Sequence, residues 1–249
     1  MSDRLSGHTA LVTGAAQGLG EAMARALWEA GAHVVLCDIS ETLEKTAAGI
    51  SADGTRVSCK RFDVAEEAAW ENAVAEVMAE QGSLEILVNN AAMTLSKPLW
   101  DIPVEEWDRV MAVNLRGLFL GCRSAGRIMR DKGYGRIINL SSLAGQRGGV
   151  VAGGHYSASK GAILSLSKCF AQELAPNGVT VNCIAPAAIE GPMSRAMPKE
   201  KVDGLAATIP VRRLGRDTEV GAAAVYLADP GNGYVTGSTL DVNGGVLMR

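Results

Sequence analysis

The stretch Thr13-Gly14-Ala15-Ala16-Gln17-Gly18-Leu19-Gly20 decides the fold. A short apolar run, Thr9–Thr13, leads into it, and Gly18 to Ala30 follows with Leu19, Met23, Ala26 and Leu27 at helical spacing. A glycine-rich turn between a strand and a helix lets the backbone approach a pyrophosphate closely. The helix N-terminus adds unpaired N–H groups and the positive end of the helix dipole. Gly14, Gln17, Gly18, Leu19 and Gly20 are therefore candidate dinucleotide-binding residues, in the spacing G-x-x-x-G-x-G. Asp38 ends the second apolar run, 18 residues after Gly20, where a carboxylate can accept hydrogen bonds from the adenosine ribose hydroxyls. The competing reading, a helix N-cap, can be filled by Ser40 instead. Ala15, Ala16 and Ile39 offer no cation for a 2′-phosphate, so this end of the chain favours NAD(H) over NADP(H).

Outward from this turn, short apolar runs alternate with helical stretches. His33–Cys37, Leu84–Val88, Arg136–Leu140, Val179–Ile184 and Leu240–Val242 read as strands, with Arg56–Phe62 a weaker one. Glu66–Gln81, Pro103–Arg130, Ser157–Leu174 and Thr218–Ala228 read as helices, Pro103 being suited to a first turn. Near-continuous apolar strands separated by helices predict an α/β fold: a single-domain, Rossmann-type doubly wound parallel sheet with helices on both faces, over residues 1–249. The least regular segment, about 187–214, is rich in Gly and Pro and predicts a mobile substrate loop.

Composition narrows the class. Of 249 residues, 47% are hydrophobic and 20% charged, which argues against a largely disordered chain. The 24 basic and 27 acidic residues leave a net charge of −3 with no basic block, which speaks against nucleic acid as a partner. No apolar run reaches the roughly 18 residues of a membrane span. The N-terminus carries Asp3 and Arg4 and has no apolar signal core, so a cytoplasmic location and no membrane partner are expected. Cys37, Cys59, Cys122, Cys169 and Cys183 form no CxxC pair and read as reduced thiols. His8, His33 and His155 are scattered, and no metal is expected.

Tyr156 and Lys160 stand four apart in Tyr156-Ser157-Ala158-Ser159-Lys160, which on a helix puts both on one face. A tyrosine is a poor base at neutral pH, and an adjacent ammonium favours its phenolate and lowers its pKa. Ser142 stands just after the strand Arg136–Leu140, where a site residue of an open parallel sheet belongs.

Taken together these pieces resemble the short-chain dehydrogenase/reductase family over nearly the whole chain. The matches are TGAAQGLG at 13–20, Asp63-Val64, NNAA at 89–92, Asn114 in VNLRG, Ser142 with Gly145, Tyr156 with Lys160, NCIAPAAIEGPM at 182–193 and VTGSTLDVNGG at 235–245. The resemblance implies that Tyr156 is the general acid/base and that Ser142 holds the substrate oxygen. It implies that Lys160 binds the nicotinamide ribose and lowers the Tyr156 pKa, and that Asn114 organises a water linking Lys160 to solvent. Asp63 and Val64 would flank the adenine, Asn89 and Ala91 would line the coenzyme cleft, and Pro186 and Ile189 would meet the nicotinamide end. The reaction implied is NAD(H)-dependent interconversion of a secondary alcohol and a ketone, in a homotetramer associating through Pro103–Arg130, Ser157–Leu174 and the C-terminal strand region. Gly117, Gly121, Ala162 and Leu166 would supply small and apolar contacts there.

Two departures stand out. Ala92 replaces the glycine of NNAG, and Pro186-Ala187-Ala188-Ile189-Glu190-Gly191 replaces P-G-x-[IV]-x-T, which removes a threonine hydroxyl. The rival within the class is a 3-oxoacyl-(acyl-carrier-protein) reductase. Asp38 disfavours the NADPH those enzymes generally prefer, and Gly133 and Asn177 stand where they tend to carry docking arginines. A non-catalytic NAD-binding regulator is a further alternative, opposed by the intact Asn114, Ser142, Tyr156 and Lys160. Met93, Leu143, Ala144, Val151, His155, Ala187 and Met193 are candidate substrate walls, mostly apolar, which points to a small, uncharged alcohol or ketone. Arg147 and Arg195 are the nearest candidates for an anionic group. Trp70, Trp100 and Trp107 read as packing anchors.

Overall fold

The computed structural model describes residues 3–149, 151–191, 194 and 197–248. Among them, β1 (Thr9–Thr13), β2 (His33–Asp38), β3 (Val57–Arg61), β4 (Ile86–Asn89), β5 (Gly135–Leu140), β6 (Val179–Pro186) and β7 (Thr239–Val242) form one sheet. Its order is β3-β2-β1-β4-β5-β6-β7, and every neighbouring pair is parallel. The expected doubly wound architecture is present. Successive strand residues point to opposite faces, so apolar strands feed two cores. Ala10, Val12, Val34, Leu36, Val88 and Ile138 pack with Met23 and Leu27 of α1 (Gly18–Glu29) and Val220, Ala224 and Leu227 of α9 (Asp217–Ala228). Leu11, Val35, Leu87, Ile137 and Val181 face the other way. They pack on Trp70 of α3 (Glu67–Gln81), Leu118 and Met129 of α5 (Gly117–Lys132), and Ile163 of α7 (Gly154–Leu174).

The chain leaves β1 toward β3 on one side and returns to β4 on the other. The C-terminal ends of β1 and β4 therefore border the crevice where such folds bind ligands.

The structure corrects several boundaries. A short helix, α2 (Leu43–Ile50), follows β2 and buries only Leu43 and Ile50, too few apolar positions to set a period. The long helix expected over Pro103–Arg130 is α4 (Val104–Met111), a wide π-type turn over Ala112–Arg116, and α5. Another short helix, α6 (Leu143–Arg147), starts where the Ser142 hydroxyl accepts the Ala144 amide at 3.1 Å. α7 begins at Gly154, so Tyr156 lies inside the helix rather than before it.

The segment at 187–214 contains a helix, α8 (Lys199–Thr208), none of whose residues is buried. Its base is fixed: Ile189 bridges Gly215 as a parallel pair, and Ile209 and Leu214 are buried. Gly117 and Gly121 serve packing within the chain. A Cβ at Gly117 would stand 2.9 Å from Val64 Cγ2, and one at Gly121 2.7 Å from the Trp70 ring. Trp70 is a fully buried anchor, whereas Trp100 is 94% exposed and does not anchor packing among the described residues.

α6 and α7 touch backbone to backbone. A Cβ at Gly145 would lie 2.5 Å from the Lys160 carbonyl carbon. Gly145→Ala gains about 1 kcal/mol of helix propensity, but it forces two main chains apart, and overpacking costs about 1–3 kcal/mol. We expect net destabilisation, read as a fall in Tm of about 2–4 °C per kcal/mol for a chain of this size. An unchanged or raised Tm would contradict the close packing.

Candidate active site

The cleft at the C-terminal edge of the sheet has a volume of about 640 Å³. One end is the glycine turn. A Cβ at Gly20 would lie 2.0 Å from the Gly14 carbonyl oxygen, and Gly14 itself has φ +64, so both must be glycine for α1 to start directly above β1. At Gly18 a Cβ would meet nothing within 4 Å, and its neighbours Gln17 and Leu19 line the cleft. The N-cap residue Gln17 provides no side-chain bond to the first amides of α1. A free helix N-terminus facing open space fits a pyrophosphate.

Asp38 stands at the tip of β2 and braces the turn: its Oδ2 accepts from the Ala16 amide at 3.1 Å and its Oδ1 from the Ser40 amide at 3.0 Å. Ile39, Phe62, Asp63 and Val64 continue the wall at this end, and Gly14, Gln17, Leu19 and Ala91 line the floor. These residues fit the adenosine half of a dinucleotide. Strand register also brings exposed Arg61 level with Asp38, a neighbour that chain order hides.

Asn89 is placed differently from expectation, whereas Ile189 keeps its backbone free for the contact expected of it. Asn89 is buried behind the cleft and donates to Asn139 Oδ1 at 2.8 Å. Its neighbour Asn90 lines the cleft instead and donates to the carbonyls of Thr13 and Gly14, at 3.0 and 3.1 Å. Strand alternation sends the two asparagines to opposite faces, and that was the available signal in NNAA. The Ile189 side chain packs into the α1/α9 core, leaving only its backbone for a coenzyme. Pro186 and Ala187 line the cleft.

Ser142, Tyr156 and Lys160 meet at the other end. Ser142 is half-buried, whereas Ser141 is buried and its hydroxyl donates to the Lys160 carbonyl at 2.7 Å, so Ser142 is the serine available to a substrate. Lys160 is buried on the same helical face as Tyr156. Its Nζ donates to the Leu140 carbonyl at 2.6 Å and lies 5.7 Å from the centroid of the Tyr156 ring. Burial pulls the Lys160 pKa down to about 8. Burial also pushes the Tyr156 phenol up, with the Ser142 hydrogen bond opposing it. The lowering expected from Lys160 is thus not what the site shows: burial leaves the phenol above its ordinary value.

Asn114 sits in the π-type turn, a feature often found at functional sites. Its Oδ1 accepts the Met93 amide at 2.7 Å, and its Nδ2 donates to the Met93 carbonyl at 2.9 Å and to Ser159 Oγ at 3.0 Å. Ser159 Oγ donates onward to the Tyr156 carbonyl at 2.7 Å. Asn114 is thus a bracket between the strand β4 exit and α7.

Of the expected substrate walls, Met93 and Ala187 line the cleft. Leu143 is buried in the fold, and Ala144 is drawn back by its bond to Ser142. Val151 is 84% exposed, its carbonyl held by the Ser96 hydroxyl at 2.7 Å. His155 is buried away from the cleft. Met193 and Arg195 lie outside the described residues. Thr94, Arg109 and Val113 also line the cleft. Arg109 and Val113 stand one turn apart, a spacing readable in sequence only once Asn114 is placed inward.

A doubly wound sheet, a helix N-terminus over open space and a Ser142–Tyr156–Lys160 cluster across one cleft fit a nicotinamide-type oxidoreductase. The family model described as enoyl-(acyl carrier protein) reductase matches residues 14–247. A 3-oxoacyl-(acyl-carrier-protein) reductase of Escherichia coli (strain K12) is 37% identical, over 97% of this chain and 98% of the relative. A 2-dehydro-3-deoxy-L-rhamnonate dehydrogenase (NAD(+)) of Sphingomonas sp. (strain SKA58) is also 37% identical, over 97% and 96%. The crystal structure of a short-chain dehydrogenase/reductase, glucose/ribitol dehydrogenase, from Brucella melitensis superposes with a TM-score of 0.91 at 32% identity, covering 100% of both chains. The chain belongs to the short-chain dehydrogenase/reductase family of oxidoreductases, whose members bind a nicotinamide coenzyme. Among the described residues no helix is long and apolar enough to cross a membrane.

The lowered Lys160 pKa carries a stability signature. The unfolded lysine keeps its proton up to the ordinary value of 10.5, whereas the folded one loses it near 8. Between those values the unfolded state binds more protons, so stability rises with pH there. The penalty is full below pH 8. Denaturant titrations across pH 7–11 should show this rise, and Lys160→Met should flatten it. Equal slopes in the two proteins would contradict the buried charge.

Proposed function

We propose that the protein interconverts a secondary alcohol and a ketone using NAD(H), with Tyr156 as general acid/base. The observation that carries this reading is the convergence of Ser142, Tyr156 and Lys160 at one end of a cleft whose other end is a phosphate-type helix terminus. The bound coenzyme supplies or accepts the hydride. Ser142 orients the substrate oxygen. Tyr156 donates its phenolic proton to that oxygen in reduction, and in oxidation its phenolate takes the proton back. The phenol starts protonated, as a proton donor requires, and burial pushes it further that way. Lys160 would hold the nicotinamide ribose, and Asn114 keeps Met93 and α7 in fixed relation.

Asp38 supports NAD(H) over NADP(H). A 2′-phosphate there would face the carboxylate, and two unit charges 4 Å apart repel by ~4 kcal/mol at an effective dielectric of 20. Solvent exposure and the nearby Arg61 offset part of this, leaving roughly 10²-fold discrimination, about 2.7 kcal/mol. The coenzyme preference named for the Sphingomonas relative agrees with this choice. Met93 and Ala187 favour a mostly uncharged substrate. The 3-oxoacyl-(acyl-carrier-protein) reductase reading is the alternative, favoured by the Escherichia coli relative.

A homotetramer is supported by the surface of α5 and α7. Phe119, Leu115, Ala162, Leu166 and Cys169 line a broad groove there, which a second copy would cover. We place the tetramer in the cytoplasm.

Tyr156→Phe tests the mechanism. Turnover of a responsive ketone should fall by ~10²–10⁴-fold, with NADH affinity by fluorescence titration unchanged. Retention of more than about a tenth of the rate would exclude Tyr156 as the acid/base. Coenzyme choice is checked by kcat/KM with NADH and NADPH in parallel, and equal values would remove Asp38 from its assigned role.

A further inference from the structure

We propose that Glu106 and His155 are a positioning pair for Tyr156, fixing the first turn of α7 so that the phenol stays aligned with Ser142. This rests on the reading of Tyr156 as the acid/base. His155 is fully buried beside it in sequence and takes no part in the cleft. Its Nδ1 lies 2.9 Å from the Tyr156 amide nitrogen. A peptide N–H can only donate, so Nδ1 carries no proton and accepts. The ring proton is then on Nε2, which faces Glu106 Oε1 at 3.2 Å. The other carboxylate oxygen, Oε2, takes Lys97 Nζ at 2.7 Å. The chain Lys97–Glu106–His155–Tyr156 N–H has one donor and one acceptor at each step.

The local need for this arrangement is a property of helix starts. The first amides of a helix have no acceptor within it, and a side chain at the N-cap usually supplies one. The N-cap of α7 is Gly153, which has no side chain. The His155 ring supplies the acceptor for the Tyr156 amide instead. Gly153 is also what admits the ring: a Cβ there would lie 2.6 Å from His155 Cε1 and 2.5 Å from the Leu95 carbonyl.

The same contacts tie two stretches of chain together. Thr94 Oγ1 donates to the Ala152 carbonyl at 3.2 Å and Ser96 Oγ to that of Val151 at 2.7 Å. The segment from Met93 to Glu106, which carries a wall of the cleft, is thereby clamped to the turn that presents Tyr156. Removing the clamp frees the phenol to wander, and a misplacement on the order of 1 Å can cost about 10²-fold in rate.

The experiment compares His155→Ala, Glu106→Ala and Glu106→Gln with the wild type and with Tyr156→Phe, using a ketone that the wild type reduces. Each is measured for kcat, NADH affinity, Tm and the solvent isotope effect on kcat. We expect His155→Ala and Glu106→Ala to lower kcat by about 10- to 100-fold with NADH affinity retained and the solvent isotope effect raised, because proton transfer becomes limiting. Glu106→Gln keeps an acceptor for Nε2–H and should recover most of the rate. A loss of kcat that merely follows the folded fraction, with an unchanged isotope effect, overturns the pair. So does a Glu106→Gln rate no better than that of Glu106→Ala. If Tyr156→Phe stays active, the acid/base reading itself fails. If it is inactive while both alanine variants match the wild type, only the positioning pair fails.

Discussion

At the C-terminal edge of the sheet, the main chain of α1 closes on the end of β1 so tightly that a Cβ at Gly20 would stand 2.0 Å from the Gly14 carbonyl. That approach puts a helix N-terminus directly over the crevice between β1 and β4. Thr13 and Asn90 hold it from below: the Thr13 hydroxyl accepts the Asn90 and Ala91 amides at 3.0 and 3.1 Å, and the Asn90 side chain returns to the Gly14 carbonyl. A second close approach, Gly145 on the Lys160 backbone, fixes α6 against α7 and so sets Ser142 opposite Tyr156. Backbone proximity is what glycine permits, and here it places both ends of one cleft.

Burial then sets the chemistry between those ends. The same desolvation that depresses Lys160 raises Tyr156, because each is pushed toward its neutral form. A protonated phenol beside a half-exposed serine is arranged to give a proton to an oxygen. The buried ammonium is held by a single described backbone acceptor, Leu140. A ligand ribose hydroxyl would give it further partners, which links coenzyme binding to the charge state of the lysine.

Much of this is legible in the sequence because it depends on local pattern. TGAAQGLG between an apolar run and a helical period marks the turn, and Tyr156 and Lys160 at a one-turn spacing mark one helical face. What pattern misses is tertiary in origin. Asn89 and Asn90 differ only by the face on which β4 sends them. The π-type turn at Asn114 and the three hydrogen bonds the side chain makes to Met93 and Ser159 show in no periodicity. Arg61 comes level with Asp38 only through strand register. His155 has the composition of a pocket residue, but the glycine at 153 and the carboxylate of Glu106 draw it into the fold.

Transfer of a hydride to a carbonyl held at Ser142 and Tyr156 is tested most directly by isotope tracing. The protein is incubated with NADH carrying deuterium at C4 and a panel of neutral ketones, in ordinary water and separately in D₂O with unlabelled NADH, and the alcohols are analysed by mass spectrometry. The geometry predicts one coenzyme-derived deuterium on the carbinol carbon and no carbon-bound label from D₂O at that position. Solvent label on that carbon, or no transfer to any ketone of the panel, would contradict it.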